Sequence, residues 1–132
     1  MVTSESDLKL LLKALAFAAH KHRDQRRKDV ESSPYINHPI SLASILCNEG
    51  HVTDTNVICA ALLHDTVEDT DTTAEELEQE FGAAIRHIVM DVTDDKTLGK
   101  AERKQRQVDH AADICDQAKL VKLADKISNL RD

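Results

Sequence analysis

Residues 57–69 read Val57-Ile58-Cys59-Ala60-Ala61-Leu62-Leu63-His64-Asp65-Thr66-Val67-Glu68-Asp69, an apolar run that ends abruptly in acid. Thr53 or Asp54, just upstream, can cap a helix, and Val57, Ile58, Ala61 and Leu62 recur at helical spacing up to His64 and beyond. The expectation is one helix whose C-terminal end carries Asp65, Glu68 and Asp69, with Asp71 just past it. The macrodipole is negative at that end and disfavours anions. Asp65 is also four residues from Asp69 and three from Glu68, and each such like-charged pair destabilises a helix by roughly 0.2–0.5 kcal/mol. His64 and Glu68 share a face at the same spacing. Such a cluster calls for positive charge, which a divalent cation supplies most directly; the bland alternative is a solvated acidic helix end.

Helical spacing recurs on both sides of this segment. Leu8, Leu11, Leu12, Leu15, Ala16 and Ala19 predict a first helix, followed by a polar stretch over 23–33 that closes on Pro34. Pro39 suits the opening of a second helix, with Ile40, Ala43, Leu46 and Cys47 as its buried stripe and Gly50 at its end. Beyond the acidic cluster, residues 69–73 are turn-like, and Thr73 with Glu76 forms a capping box for a short helix ending near Phe81 and Gly82. Ile85, Ile88, Val89 and Val92 mark the next helix. A polar break at Asp94 and Asp95, a charged helix over about 99–115 and a last helix from near Gln117 complete the chain. No strand pattern or internal repeat interrupts this series. A length of 132 residues fits one domain, and only Phe17, Tyr35 and Phe81 are aromatic, so the core must be aliphatic. The expected fold is an all-α helical bundle spanning 1–132. The last helix reaches the final residue without a glycine cap or polar tail, which predicts a domain incomplete at its C-terminus.

The formal net charge of −7 disfavours a nucleic-acid polymer as partner. Basic residues are nevertheless dense over 23–28 and 96–106, which suits a small anionic ligand. Cys47, Cys59 and Cys115 are odd in number and show no paired spacing, the pattern of reduced thiols in the cytoplasm. The first apolar run is broken by Lys9 and Lys13 and preceded by Glu5 and Asp7, unlike a signal peptide. No segment is long enough to span a membrane, so no membrane partner is expected.

Two further features bear on the acidic cluster. His38 stands at a loop-to-helix junction in Tyr35-Ile36-Asn37-His38-Pro39, a rigid position suited to a ligand. Asp125 lies beside the apolar arc of the last helix, with Asn129 one turn further on, and a carboxylate there needs a partner. A metal site is one answer; Lys122 or Lys126 is the plainer one. Two imidazoles and two carboxylates suit manganese, ferrous iron, zinc or, less well, magnesium, and the lack of thiolates argues against a structural zinc knot.

The order His38, His64-Asp65, Asp125 resembles the signature of the HD superfamily of metal-dependent phosphohydrolases. The finer motifs are Arg26-Arg27-Lys28-Asp29, Pro34-Tyr35-Ile36-Asn37-His38-Pro39, the stretch 61–70, the stretch 92–98, and Lys122-Leu123-Ala124-Asp125-Lys126 followed by Asn129. Together they are similar to the hydrolase domain of the RelA/SpoT homologues, in particular the stand-alone animal type. The resemblance implies an HD-domain helical bundle that hydrolyses the 3′-pyrophosphate of guanosine-3′,5′-bis(diphosphate), using one Mn2+ ion. It implies His38, His64, Asp65 and Asp125 as metal ligands, and Glu68 and Asp69 as the residues that position water and handle protons. Arg27, Lys28, Lys100 and Asn129 would hold the nucleotide. The same type is associated with removal of the 2′-phosphate of NADPH, and a short, catalytically idle binding module is a third reading. Members of the type continue through further helices, whose absence would uncover apolar surface and favour self-association.

Overall fold

A computed structural model describes residues 4–28, 30–93, 99–110 and 114–131. Asp29, the polar break at Asp94 and Asp95 with the rest of 94–98, and Asp132 lie outside the described residues. Among those described, the chain forms α1 (Glu5–Lys21), α2 (Asn37–Ser44), α3 (Thr55–Leu63), α4 (Thr66–Asp69), α5 (Ala74–Phe81), α6 (Ala83–Val92), α7 (Lys100–His110) and α8 (Asp116–Arg131). A π-helical turn, Ile45–Glu49, continues α2. The described residues contain no strand, only an isolated antiparallel bridge between Arg26 and Pro34. The all-α expectation holds.

The bundle is organised around α3. Every residue from Val57 to Leu63 is buried, and a helix apolar on all sides must be covered on all sides. Accordingly α1, α2, α6 and α8 all pack against it. Asp54 caps its first turn by accepting from the Asn56 amide at 3.0 Å. The outer helices contribute small or aliphatic faces: Ala14 and Ala18 from α1, Leu42 from α2, Ile85, Ile88 and Val89 from α6, and Ala118, Val121 and Ala124 from α8. With three aromatics in the chain, only one phenylalanine pair packs edge to face, Phe17 against Phe81 at 5.3 Å between ring centroids. No helix of the described residues is long and apolar enough to cross a membrane.

Three details differ from the reading of the sequence. The helix through His64 does not continue: α3 ends at Leu63, and a separate single turn, α4, starts at Thr66. Thr66 is fully buried and its hydroxyl donates to the Leu63 carbonyl at 2.7 Å, satisfying a helix end inside the protein. The buried stripe of the second helix runs through His38, Leu42, Ile45 and Leu46, while Ile40 and Cys47 are exposed. Pro39 occupies the third position of α2, and the π turn that follows re-aims the residues beyond Ser44. Thr73 caps α5 by accepting from the Glu76 amide at 3.1 Å, but the Glu76 carboxylate turns to Lys21 at 3.4 Å.

Candidate metal centre and its carboxylate turn

Four side chains from three parts of the chain meet beside the end of α3. His38 comes from the first turn of α2, His64 and Asp65 from the break between α3 and α4, and Asp125 from α8. His38 Nε2 lies 2.8 Å from Asp125 Oδ1. His64 Nε2 lies 2.9 Å from Asp65 Oδ2 and 3.6 Å from Asp125 Oδ1. The two imidazole rings stand 5.4 Å apart between centroids, and ligand atoms of His38, His64 and Asp65 all fall within 4.8 Å of one another. Both histidines are buried, at 5% and 6% exposure. Lys122 and Lys126 are therefore not what Asp125 faces; its partners are imidazoles.

The hydrogen bonds around these groups bear on whether they could hold a cation. The Nδ1 of His64 lies 2.8 Å from the Ala61 carbonyl, which can only accept, so Nδ1 carries the hydrogen and Nε2 of the neutral ring presents a lone pair. That Nε2 is buried and has no aligned hydrogen bond, despite the nearness of two carboxylates. Lone pairs from an imidazole and two carboxylates turned on one another repel unless a cation sits among them. His38 is held at both ring nitrogens: its Nε2 donates to Asp125 Oδ1 at 2.8 Å, and its Nδ1 lies 3.4 Å from Ser128 Oγ, a hydroxyl that donates to Ser41 at 3.2 Å. Imidazoles fixed through their far nitrogen are the usual arrangement of metal-ligating histidines. The residues fit a divalent ion.

The electrostatics agree. Burial opposes a charge on His64, but the carboxylates of Asp125 and Asp65 outweigh it and push its pKa up to about 10. The same two carboxylates that raise it would favour any positive charge placed among them. Burial likewise opposes ionisation of Asp125, yet His38 and His64 hold its carboxyl well below the usual range. Asp65 is lowered against burial by His64 and by the hydroxyl of Tyr35, which donates to it. Burial, then Asp65, pushes the Tyr35 phenol far up, so it stays a donor.

Glu68 and Asp69 belong to the single turn α4, half-buried, and their carboxylates gather with that of Asp65 within 4.8 Å. They occupy the first turn of a new helix rather than the end of an old one. A single turn carries little of the macrodipole penalty expected at the end of a long helix, whereas the mutual repulsion remains. Two threonines stiffen the turn: Thr70 Oγ1 donates to the Thr66 carbonyl at 2.6 Å and sits 2.7 Å from Thr72 Oγ1. Of the residues expected at a nucleotide, Arg27 and Lys28 lie in the loop after α1, Lys100 opens α7, and Asn129 follows Asp125 by one turn of α8. Lys28, Lys100 and Asn129 are exposed and Arg27 is half-buried.

Sequence reasoning passed over two residues beside this centre. His22 is 2% exposed and packs its ring 4.7 Å from that of Tyr35. Gln25 was not singled out, yet it bridges His22 to the Asp69 carbonyl. Neither residue carries a mark in the sequence: a polar residue in a polar loop looks solvated until the fold covers it.

The HD-domain family model matches residues 14–132. The guanosine-3′,5′-bis(diphosphate) 3′-pyrophosphohydrolase MESH1 of Danio rerio is 64% identical over 127 residues, covering 96% of this chain and 71% of that protein. Its Drosophila melanogaster counterpart is 52% identical over 121 residues, 92% of this chain and 68% of that protein. A solved structure of a metazoan orthologue of SpoT, described as hydrolysing ppGpp and playing a role in starvation responses, superposes with a TM-score of 0.91 and 48% identity, covering 100% of this chain and 72% of that one. With two imidazoles and two carboxylates converging in the order the motifs run, and with relatives this similar over almost its whole length, the chain belongs to the HD-domain family and, within it, to the MESH1 group.

Proposed function

We propose that this protein is a metal-dependent hydrolase that removes the 3′-pyrophosphate of guanosine-3′,5′-bis(diphosphate), giving GDP and pyrophosphate. The observation that carries the reading is the convergence of His38, His64 and Asp65, whose ligand atoms lie within 4.8 Å of one another, with Asp125 Oδ1 2.8 Å from His38 Nε2. Relatives of the MESH1 group bear this activity in their names.

His38, His64, Asp65 and Asp125 would hold the ion, and we favour Mn2+, which accepts mixed imidazole and carboxylate ligands. A bound divalent ion acidifies water and polarises phosphoryl oxygen. The remaining work falls to the chain. Glu68 and Asp69, on a turn stiffened by Thr70 and Thr72, orient water toward the phosphorus and accept its proton. One of them then returns a proton to the 3′ oxygen as the bond to phosphorus breaks. Arg27, Lys28 and Lys100 offset phosphate charge, and Asn129 offers an amide to the nucleotide. A net charge of −7 fits a small nucleotide held by local basic groups better than a nucleic-acid polymer.

Two finer points belong to the same reading. Three unpaired cysteines support a reducing compartment, hence the cytoplasm. Leu120, Leu123 and Leu130 leave an apolar stripe on α8, exposed at 37%, 56% and 86%, for which a second copy of the chain is the proposed occupant.

The test is a Mn2+-dependent assay on purified protein, with guanosine-3′,5′-bis(diphosphate) and NADPH offered side by side. Pyrophosphate from the first is expected. Inorganic phosphate from NADPH alone would replace this reading with a 2′-phosphatase, and turnover of neither would leave an idle binding module.

A further inference from the structure

Two described contacts join the segment between α1 and α2 to the carboxylate turn, and each is made by a side chain to which the mechanism assigns nothing. At the first, the Tyr35 hydroxyl donates to the Asp65 carboxylate. Asp65 stands at the N-cap position of α4 but makes no capping hydrogen bond with its side chain. No backbone amide of α4 therefore orients it, and Tyr35 is the one neutral donor that does so among the described contacts. Tyr35 is itself restrained: its amide donates to the Gln25 carbonyl at 3.0 Å, and its ring lies against that of buried His22. At the second point, Gln25 Nε2 donates to the Asp69 carbonyl at 2.8 Å. The other end of that amide, Oε1, accepts from His22 Nδ1 at 2.9 Å. The His22 hydrogen bond therefore selects which way the carboxamide faces, and so which group meets Asp69.

The carbonyl of Asp69 is among the last of a four-residue helix, where no later turn of α4 can satisfy it. Gln25 supplies the missing donor from another part of the chain. The loop is in turn tied across its mouth, because Arg26 and Pro34 form the isolated bridge and the Arg27 amide donates to the Ser33 carbonyl at 2.8 Å.

We propose that Tyr35 and the His22–Gln25 pair are positioning residues of this site: Tyr35 sets the Asp65 carboxylate for the metal, and Gln25, aimed by His22, holds the turn that presents Glu68 and Asp69. The proposal rests on the metal-site reading given above. It divides the loop's contribution into two separable parts, ion binding through Tyr35 and turnover through Gln25.

That division gives the test. Tyr35→Phe keeps the ring against His22 and removes only the hydroxyl; Gln25→Leu keeps the volume and removes both hydrogen bonds. Metal-free protein is titrated with Mn2+, following the free ion by electron paramagnetic resonance, and kcat and KM are then measured at saturating Mn2+. Tyr35→Phe should weaken Mn2+ binding by about 10–100-fold, the usual cost of losing a partner that orients a metal ligand. Gln25→Leu should bind Mn2+ within about threefold of the unaltered chain but lose at least about tenfold in kcat at unchanged KM, since a small misplacement of reacting groups is costly. A merely structural role would lower the melting temperature of both variants and leave the Mn2+ affinity of Tyr35→Phe and the kcat of Gln25→Leu untouched, which would overturn the proposal. If the unaltered chain takes up Mn2+ and Tyr35→Phe takes it up equally well, this inference fails while the metal site stands. If the unaltered chain binds no divalent ion, both fall together.

Discussion

At the scale of single residues, the site is a set of charges that are tolerable only together. The proposed ligand set leaves out Glu68 and Asp69, so on that reading Glu68→Ala or Asp69→Ala should keep Mn2+ and lose at least about 100-fold in kcat, the lower range of acid–base contributions. Loss of the ion instead, seen in a Mn2+ titration, would move these residues into the ligand set. His64 makes a prediction about pH. Its pKa rises from 6.5 in the unfolded chain to about 10 in the metal-free fold, so folding favours the protonated ring. The stability linked to that proton is complete below 6.5 and is lost as pH rises through about 10. Metal-stripped protein should therefore melt at progressively lower temperature between pH 7 and pH 10. Protein saturated with Mn2+ should show a flatter profile, because the ion supplies the charge. Parallel thermal melts decide it, and a stripped chain whose melting point climbs over that interval would contradict the assignment.

Among the elements, α3 and the breaks that follow it set the geometry. Leu63 is fully buried and immediately precedes His64. Leu63→Ala should cost about 2–5 kcal/mol by leaving a cavity, read as a lower urea midpoint with an unchanged slope. The turn between α5 and α6 depends on backbone alone. Gly82 has φ +94, and a Cβ added there would meet nothing within 4 Å. With ψ at 168, a conformation essentially confined to glycine, Gly82→Ala should thus cost roughly 1–3 kcal/mol from conformation without any clash. Chemical denaturation of the two variants distinguishes packing from backbone strain, since filling the Leu63 cavity with Met should recover much of the first loss and no side chain should recover the second.

For the molecule as a whole, α8 has two unlike faces. One delivers Ala118, Val121 and Ala124 to the core and Asp125 to the site; the other bears Leu120, Leu123 and Leu130 outward. The far end of the helix is tied down where Arg131 donates to both oxygens of Glu49, at 2.6 and 2.8 Å. The outward leucines are expected to pair two copies of the chain. Light scattering during size exclusion should show a dimer at micromolar concentration, and Leu123→Glu should return it to monomer with Mn2+ binding intact. A monomer before substitution would remove the second copy as occupant.

Local patterning was enough to show an all-helical chain, turns at Gly50 and Gly82, and the residue types of the candidate site. Helical periodicity and acid crowded beside His64 are properties of neighbours in the chain, and neighbours are what a sequence displays. It could not show that the helix breaks after Leu63, because the buried Thr66 hydroxyl that satisfies the break is stabilised by packing from other elements. Nor could it decide between a lysine and an imidazole as the partner of Asp125, which lies 87 residues from His38. That choice, and the covering of His22 and Gln25 beside the carboxylate turn, belong to tertiary structure alone: the docking of α2 and α8 on α3 brings His38 to Asp125, and the contacts of His22 with Tyr35 and of Gln25 with Asp69 cover the other two.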